Sequence, residues 1–294
     1  MLDFIRDLPS NPFLVTGLVA GLLASVACGV IGPYVVVRRI VFLAGAIAHM
    51  AVGGVGTAIW MQATWPDRLG WLRPIHGAMV AALLAAMVIG IIHRKASERV
   101  DTLIGALWAV GMSVGILLMK FTPGYQVELM SYLFGNIVFV DWSDVWLMAG
   151  LDAVIVVAVL LFHKRFAAMC IDEEQCELQG RNVLGLHLLL LSLAALTVIC
   201  LVQVVGLILV LALLTLPAAT AGHHIARLPG IIWCSILLSM ALTTVPRAAV
   251  YGTPVSPESA IVLAACLVYV VSLGLRRLRM RRPRGAVQAA EAAA

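Results

Sequence analysis

The residues of this chain that could do chemistry are histidines and carboxylates set in apolar surroundings. The stretch FLAGAIAHMAVGG (42–54) is apolar and small except for His49. An imidazole facing lipid without a partner costs several kcal/mol, so it must face a helix bundle or an aqueous path. Imidazole also ligates zinc, iron and similar ions. Two readings of His49 stand side by side: it lines a path for an ion, or it hydrogen-bonds a backbone carbonyl between helices. His223 and His224 follow PAATAG (217–222). They either receive an ion leaving such a path or sit at a lipid–water boundary. Asp152 lies in the apolar run 145–162, about 12 Å inside it at 1.5 Å per residue. An intramembrane acid is a candidate functional group. His76, His93, His163 and His187 fall near the ends of apolar runs and need no special role.

The run CIDEEQCELQGRN (170–182) gathers Asp172, Glu173, Glu174 and Glu177 ahead of Gly180. Acids suit a helix start and glycine suits its stop. The run therefore reads as a short helix of about two turns. It is either a solvated connection or a docking element for a partner.

The elements that position these residues follow from composition. Of 294 residues, 62% are hydrophobic and 12% charged, and the mean hydropathy is +1.04. Ordinary soluble domains are about 25% charged, so the class is an all-α, polytopic integral membrane protein. The charge-free runs are too long for the short alternating strands of an outer-membrane barrel. The net charge of +5 is accounted for by basic residues collecting on the cytoplasmic face, so no nucleic-acid partner is expected. Cys28, Cys170, Cys176, Cys200, Cys234 and Cys266 form no CxxC pair, and neither a disulfide framework nor a structural zinc site is read. The start, MLDFIRDLPSN, lacks the basic opening and cleavage site of a signal peptide, so the first span is expected to be retained.

A span needs about 20 apolar residues. Spans are expected at 13–37, 40–62, 75–92, 102–119, 145–162, 230–246 and 259–275. Residues 186–222 carry no Asp, Glu, Lys or Arg and are too long for one span. They should fold back near QVVG (203–206), giving the sixth and seventh of nine, and Pro217 should break the seventh. Arg38, Arg39, HRKASER (93–99), HKR (163–165), Arg181, Arg227 and the tail RRLRMRRPR hold 15 of the 20 Lys and Arg. The alternation of spans puts them all on one side, which is cytoplasmic. The C-terminus is then inside and the N-terminus outside. The longest connection on that side is 163–184. GLVAG (17–21) and GMSVG (111–115) are helix-packing signals. A single transmembrane domain is expected over 1–282, with residues 283–294 disordered. No Ser/His/Asp set, HExxH or nucleophile elbow is found, and no phosphate loop. The chain is read as no enzyme, and any ATP must be bound by another chain.

Six stretches, in order, resemble the membrane permease of zinc/manganese/iron-type metal-ion ABC importers, the group that includes high-affinity zinc uptake permeases. They are GPYVVVRR (32–39), FLAGAIAHM (42–50), DTLIGALWAVGMSVGILL (101–118), MSYLFGNI (130–137), IDEEQCELQG (171–180) and LALLTLPAATA (211–221). The resemblance covers about residues 15–275 and implies an ABC importer permease fold in the cytoplasmic (inner) membrane. It implies a homodimer lining the pathway, two cytoplasmic ATP-binding subunits and an external metal-binding protein. It further implies that the helix near 171–181 seats in a groove of the ATPase, and Asp172, Glu174 and Gly180 carry over to that coupling role. Ile171 and Cys176 stand where the family has Phe and Ala. The family's Asp four residues before the histidine is Gly45 here. No bound cofactor is expected. The divalent ion, whether zinc, manganese or iron, is the substrate, moved by alternating access. The alternatives are a permease for a chelated metal (siderophore or corrinoid), a secondary transporter working without ATP, and an intramembrane enzyme.

Overall fold

The computed structural model describes residues 2–95, 100–122 and 140–291. MSYLFGNI (130–137) and most of the basic run 93–99 lie outside the described residues. Within them the chain is helical, with no strand. In order the helices are α1 (Leu2–Asp7), α2 (Pro12–Val37), α3 (Val41–Thr64), α4 (Pro66–Leu69), α5 (Pro74–Lys95), α6 (Val100–Phe121), α7 (Trp142–Ile171), α8 (Glu173–Leu178), α9 (Val183–Val205), α10 (Leu207–Gly222), α11 (Leu228–Val250) and α12 (Pro257–Glu291).

Eight of these helices are long and apolar enough to cross a membrane: α2, α3, α5, α6, α7, α9, α11 and α12. The remaining expected span, the seventh, is α10, with 16 residues. At 1.5 Å per residue it is about 24 Å long, short of a hydrocarbon core of about 30 Å. The split between α9 and α10 falls where it was expected, at Gly206, with φ 80° and ψ 159°. That conformation is essentially reserved for glycine.

Two expectations are corrected. Pro217 does not break its helix: α10 runs through it. The ring removes only the N–H that would reach the Leu213 carbonyl, a loss that neighbouring helices let apolar helices absorb. The connection 163–184 is mostly helix, because α7 continues through HKRFAAMC to Ile171. Ala, Met, Lys and Arg favour helix, and that run contains no breaker. The last helix, α12, runs to Glu291.

The most buried helices are α2, α3 and α9. α3 lies between α5 and α6, while α2 packs against α7, α10 and α11. α9 packs against α5 and α7, and α12 covers α10 and α11. GMSVG works as a packing signal. A Cβ on Gly111 would stand 2.7 Å from the Cα of Met50, and one on Gly115 2.7 Å from the Val52 carbonyl oxygen. α6 therefore meets α3 backbone to backbone.

Candidate functional site

His49 sits in the third turn of α3 and is only 6% exposed. Its Nδ1 lies 2.8 Å from the carbonyl oxygen of Gly45, one turn back on the same helix. A carbonyl only accepts, so Nδ1 carries the proton in this bond. The neutral ring then keeps its lone pair on Nε2, the state that a ligand to a passing cation needs. The expected carbonyl bond is thus present, but it runs along α3 and not between helices. It leaves the other nitrogen available, so the two readings of His49 are compatible.

The glycine contacts that join α6 to α3 also bring Trp108 against the histidine. The two ring centroids are 4.2 Å apart, with the planes inclined by 38°. A Cβ on Gly45 would make ordinary contact, 3.5 Å from the Trp108 ring and 3.9 Å from Leu211. A Cβ at position 45 is therefore not excluded for want of space. Trp108 was not singled out in the sequence. Its place near the start of DTLIGALWAVGMSVGILL, one turn before the packing glycine Gly111, is the signal that could have found it.

His223 and His224 lie past the end of α10 and converge on one hydroxyl. Ser272 Oγ of α12 is 3.0 Å from His223 Nδ1 and 2.8 Å from His224 Nε2. A hydroxyl has one proton, so it donates to one ring and accepts from the other. Tyr269 flanks His223, with ring centroids 5.2 Å apart. Partial burial lowers the pKa of His223, and the charges of Arg276 and His224 lower it further. The pair is not brought to His49. It is twelve residues beyond Leu211 in the chain, about 18 Å along a helix. Asp152 is likewise elsewhere. It is 4% exposed on α7, close enough to Cys28 of α2 and Cys200 of α9 to interact electrostatically. Neither carboxyl oxygen has a hydrogen-bond partner among the described residues.

The acidic run forms the helix expected of it. Asp172 is extended and caps α8, its Oδ1 accepting from the Gln175 N–H at 2.9 Å. Gly180 has φ 71°, and its N–H donates to Glu177 O while the Arg181 N–H donates to Cys176 O. This pair of bonds satisfies two of the last helical carbonyls. Cys176 is buried beneath α8, whereas Ile171 and Leu178 are 87% and 89% exposed. Glu174 is exposed as well. Arg38, read in the sequence as an orienting charge and as part of GPYVVVRR, reaches α8: its Nη2 is 2.7 Å from Glu173 Oε2. One turn back on α2, the Tyr34 hydroxyl and His163 Nδ1 share a 2.6 Å hydrogen bond. Among the described residues no group of three or more His, Cys, Asp or Glu could hold a metal ion.

A sequence profile described as the ABC 3 transport family matches residues 10–276. The chain belongs to that family. The permease resemblance read from the motifs therefore stands, and so does the all-helical membrane fold. A probable metal transport system membrane protein of Chlamydia trachomatis is 37% identical to this ABC 3 chain over 268 residues, which are 90% of each protein. The manganese transport system membrane protein of Halalkalibacterium halodurans is 27% identical over 271 residues, covering 92% of this chain and 89% of that one. In the solved structure of PsaBC from Streptococcus pneumoniae in complex with Fab, one chain superposes with a TM-score of 0.81. It is 28% identical, and the match covers 92% of this chain and 94% of that one.

Proposed function

We propose that this ABC 3 family member is the permease subunit of an ATP-driven importer of a divalent transition metal ion. Manganese comes first among zinc, manganese and iron, because a relative spanning nearly the whole chain carries manganese in its name. The observation that carries the reading is His49: a buried imidazole, tied at Nδ1, that keeps Nε2 for a ligand in an otherwise apolar helix. One nitrogen is a weak site, and two copies of the chain about a two-fold axis supply a pair. Weak ligation suits an ion in transit, whereas four closed ligands would hold it.

The remaining parts of the machine lie on other chains. The sequence has no phosphate loop, so two ATPase subunits on the cytoplasmic side supply the energy. Helix α8 docks on them, with Ile171 and Leu178 as apolar contacts and Glu174 beside them. Asp172 and Gly180 shape its two ends. An external binding protein selects the metal and delivers it. Alternating access in the cytoplasmic membrane, with the C-terminus inside, completes the cycle. The chain itself catalyses nothing. His223 and His224 stand at the exit end of α10.

The test is uptake by proteoliposomes holding this chain with its ATPase and binding protein. Zinc, manganese and ferrous iron are supplied in competition to wild type and His49→Ala. ATP-dependent uptake of one ion, abolished or reselected by the substitution, is the expected result. Uptake indifferent to the substitution removes His49 from the path. ATP hydrolysis without uptake of any ion overturns the free-ion reading in favour of a metal chelate.

A further inference from the structure

Helix α8 hangs from α7 by one residue, Asp172, in extended conformation. A hinge that short lets α8 tilt unless something else holds it. Two attachments do. Cys176 is buried beneath it, and the Glu173 carboxylate meets the Arg38 guanidinium. The first anchors α8 in place. The second reaches a different helix.

Arg38 is the C-cap of α2, its N–H donating to the Tyr34 carbonyl at 2.9 Å. Its side chain spans two elements at once. Nη1 donates to the Met169 carbonyl in the last turn of α7 at 3.2 Å, and Nη2 donates to Glu173 Oε2 at 2.7 Å. The side chain of Arg38 is 14% exposed and that of Glu173 38%. Partial desolvation and a charged acceptor make this bond stronger than an ordinary surface pair. The Tyr34–His163 bond one turn back lies on the same face of α2. The end of α2 is thus fastened to α7 by two rungs, and the lower rung continues into α8.

The chain beyond Arg38 is short. Arg39 has φ 58°, Ile40 donates its N–H to Val35 O at 3.0 Å, and α3 begins at Val41. A tight corner with a left-handed residue and a closing hydrogen bond has little slack. His49 stands eight residues into α3, about 12 Å from its start. The route from α8 to His49 is therefore one ion pair, one corner and two helical turns. The covalent route through α7 leads to α2 and α9, the helices against which α7 packs.

We infer that Arg38 is the positioning residue that carries displacement of α8 to the α2–α3 corner and so to His49. This rests on the proposed role of α8 as the ATPase-docking helix. A static staple would have the same geometry, so the test reads coupling and not stability.

In the reconstituted complex of permease, ATPase and binding protein, ATP hydrolysis and manganese uptake are measured together and expressed as ions moved per ATP. Arg38→Gln is expected to retain the ATPase subunit and its hydrolysis while ions per ATP fall about tenfold, within the usual range of coupling between sites. Arg38→Lys, which keeps the charge but not the two-pronged reach, should fall between. The reciprocal swap, Arg38→Glu with Glu173→Arg, should recover much of what either single reversal loses. Unchanged ions per ATP in Arg38→Gln overturns the inference. So does loss of the ATPase subunit from the complex, which would make the pair part of the docking surface only. Wild type that hydrolyses ATP without moving manganese, zinc or ferrous iron would instead overturn the free-ion importer reading itself.

Discussion

Trp108 and His49, from helices that pack backbone to backbone, hold their rings 4.2 Å apart. The indole covers one side of the imidazole, and on the proposed path it would limit the directions from which an ion could approach. Replacing Trp108 by Leu removes a ring contact worth about 0.5–1.5 kcal/mol. The expected outcome is a higher KM for metal uptake with ATP hydrolysis intact, and a thermal midpoint lowered by a few degrees. Uptake kinetics and scanning fluorimetry on the same preparation check both.

Gly45→Asp places a carboxylate on the same face as His49, one turn back, where its Cβ has ordinary contact with Trp108. Carboxylate oxygens favour manganese over softer ions. The substitution should shift competition toward manganese and slow its release, lowering KM and kcat together. A paired uptake assay with manganese and zinc reads the shift.

Asp172 contributes through its cap on Gln175. Asp172→Ala should cost about 1 kcal/mol of helix stability, roughly fivefold in affinity for the ATPase subunit. Asp172→Asn, an equally good cap, should bind nearly as wild type. Titration of the solubilised permease with the ATPase subunit separates the two.

The surroundings of His223 give a pH dependence with a definite sign. Burial, then Arg276 and His224, hold the pKa of His223 below its ordinary 6.5. The unfolded chain therefore takes up this proton at higher pH than the folded one. Stability is full above pH 6.5 and declines as pH falls below it toward the lower folded value. Thermal melts at pH 7.5 and pH 5.5 should show that decline in wild type and a smaller one in His223→Gln.

Asp152 buries two carboxyl oxygens without a partner among the described residues. A buried polar group left unsatisfied costs about 1–3 kcal/mol. Asp152→Leu should raise the thermal midpoint and leave ions moved per ATP unchanged. A lower midpoint would show that the carboxyl has a partner in the assembled transporter.

His49 was legible in the sequence because a lone polar ring in an apolar helix has few places to go. The break at Gly206 was legible because no single span can hold 37 uncharged residues. The two ends of α8 were legible because Asp172 and Gly180 are the residue types that start and stop helices. What meets what across helices was less so. GMSVG announces a close approach, but not that Trp108 would come to rest on His49. Nothing in the spacing of His223 and His224 points to Ser272, almost fifty residues on. Arg38 was counted for its charge, and charge alone does not say that its side chain turns along the membrane edge to Glu173. The reach of α7 was missed because hydropathy ends at Phe162, while helix propensity continues to Ile171.

The contacts at Gly111 and Gly115 have a mechanical consequence. Where two backbones touch there is no side chain to change rotamer, so α3 and α6 cannot creep past each other in small steps. They must travel as one slab or part altogether. Any push arriving at the head of α3 then moves histidine and tryptophan in unison. An ion would meet the same two-ring wall at the beginning and at the end of the stroke, and only what stands opposite that wall would change.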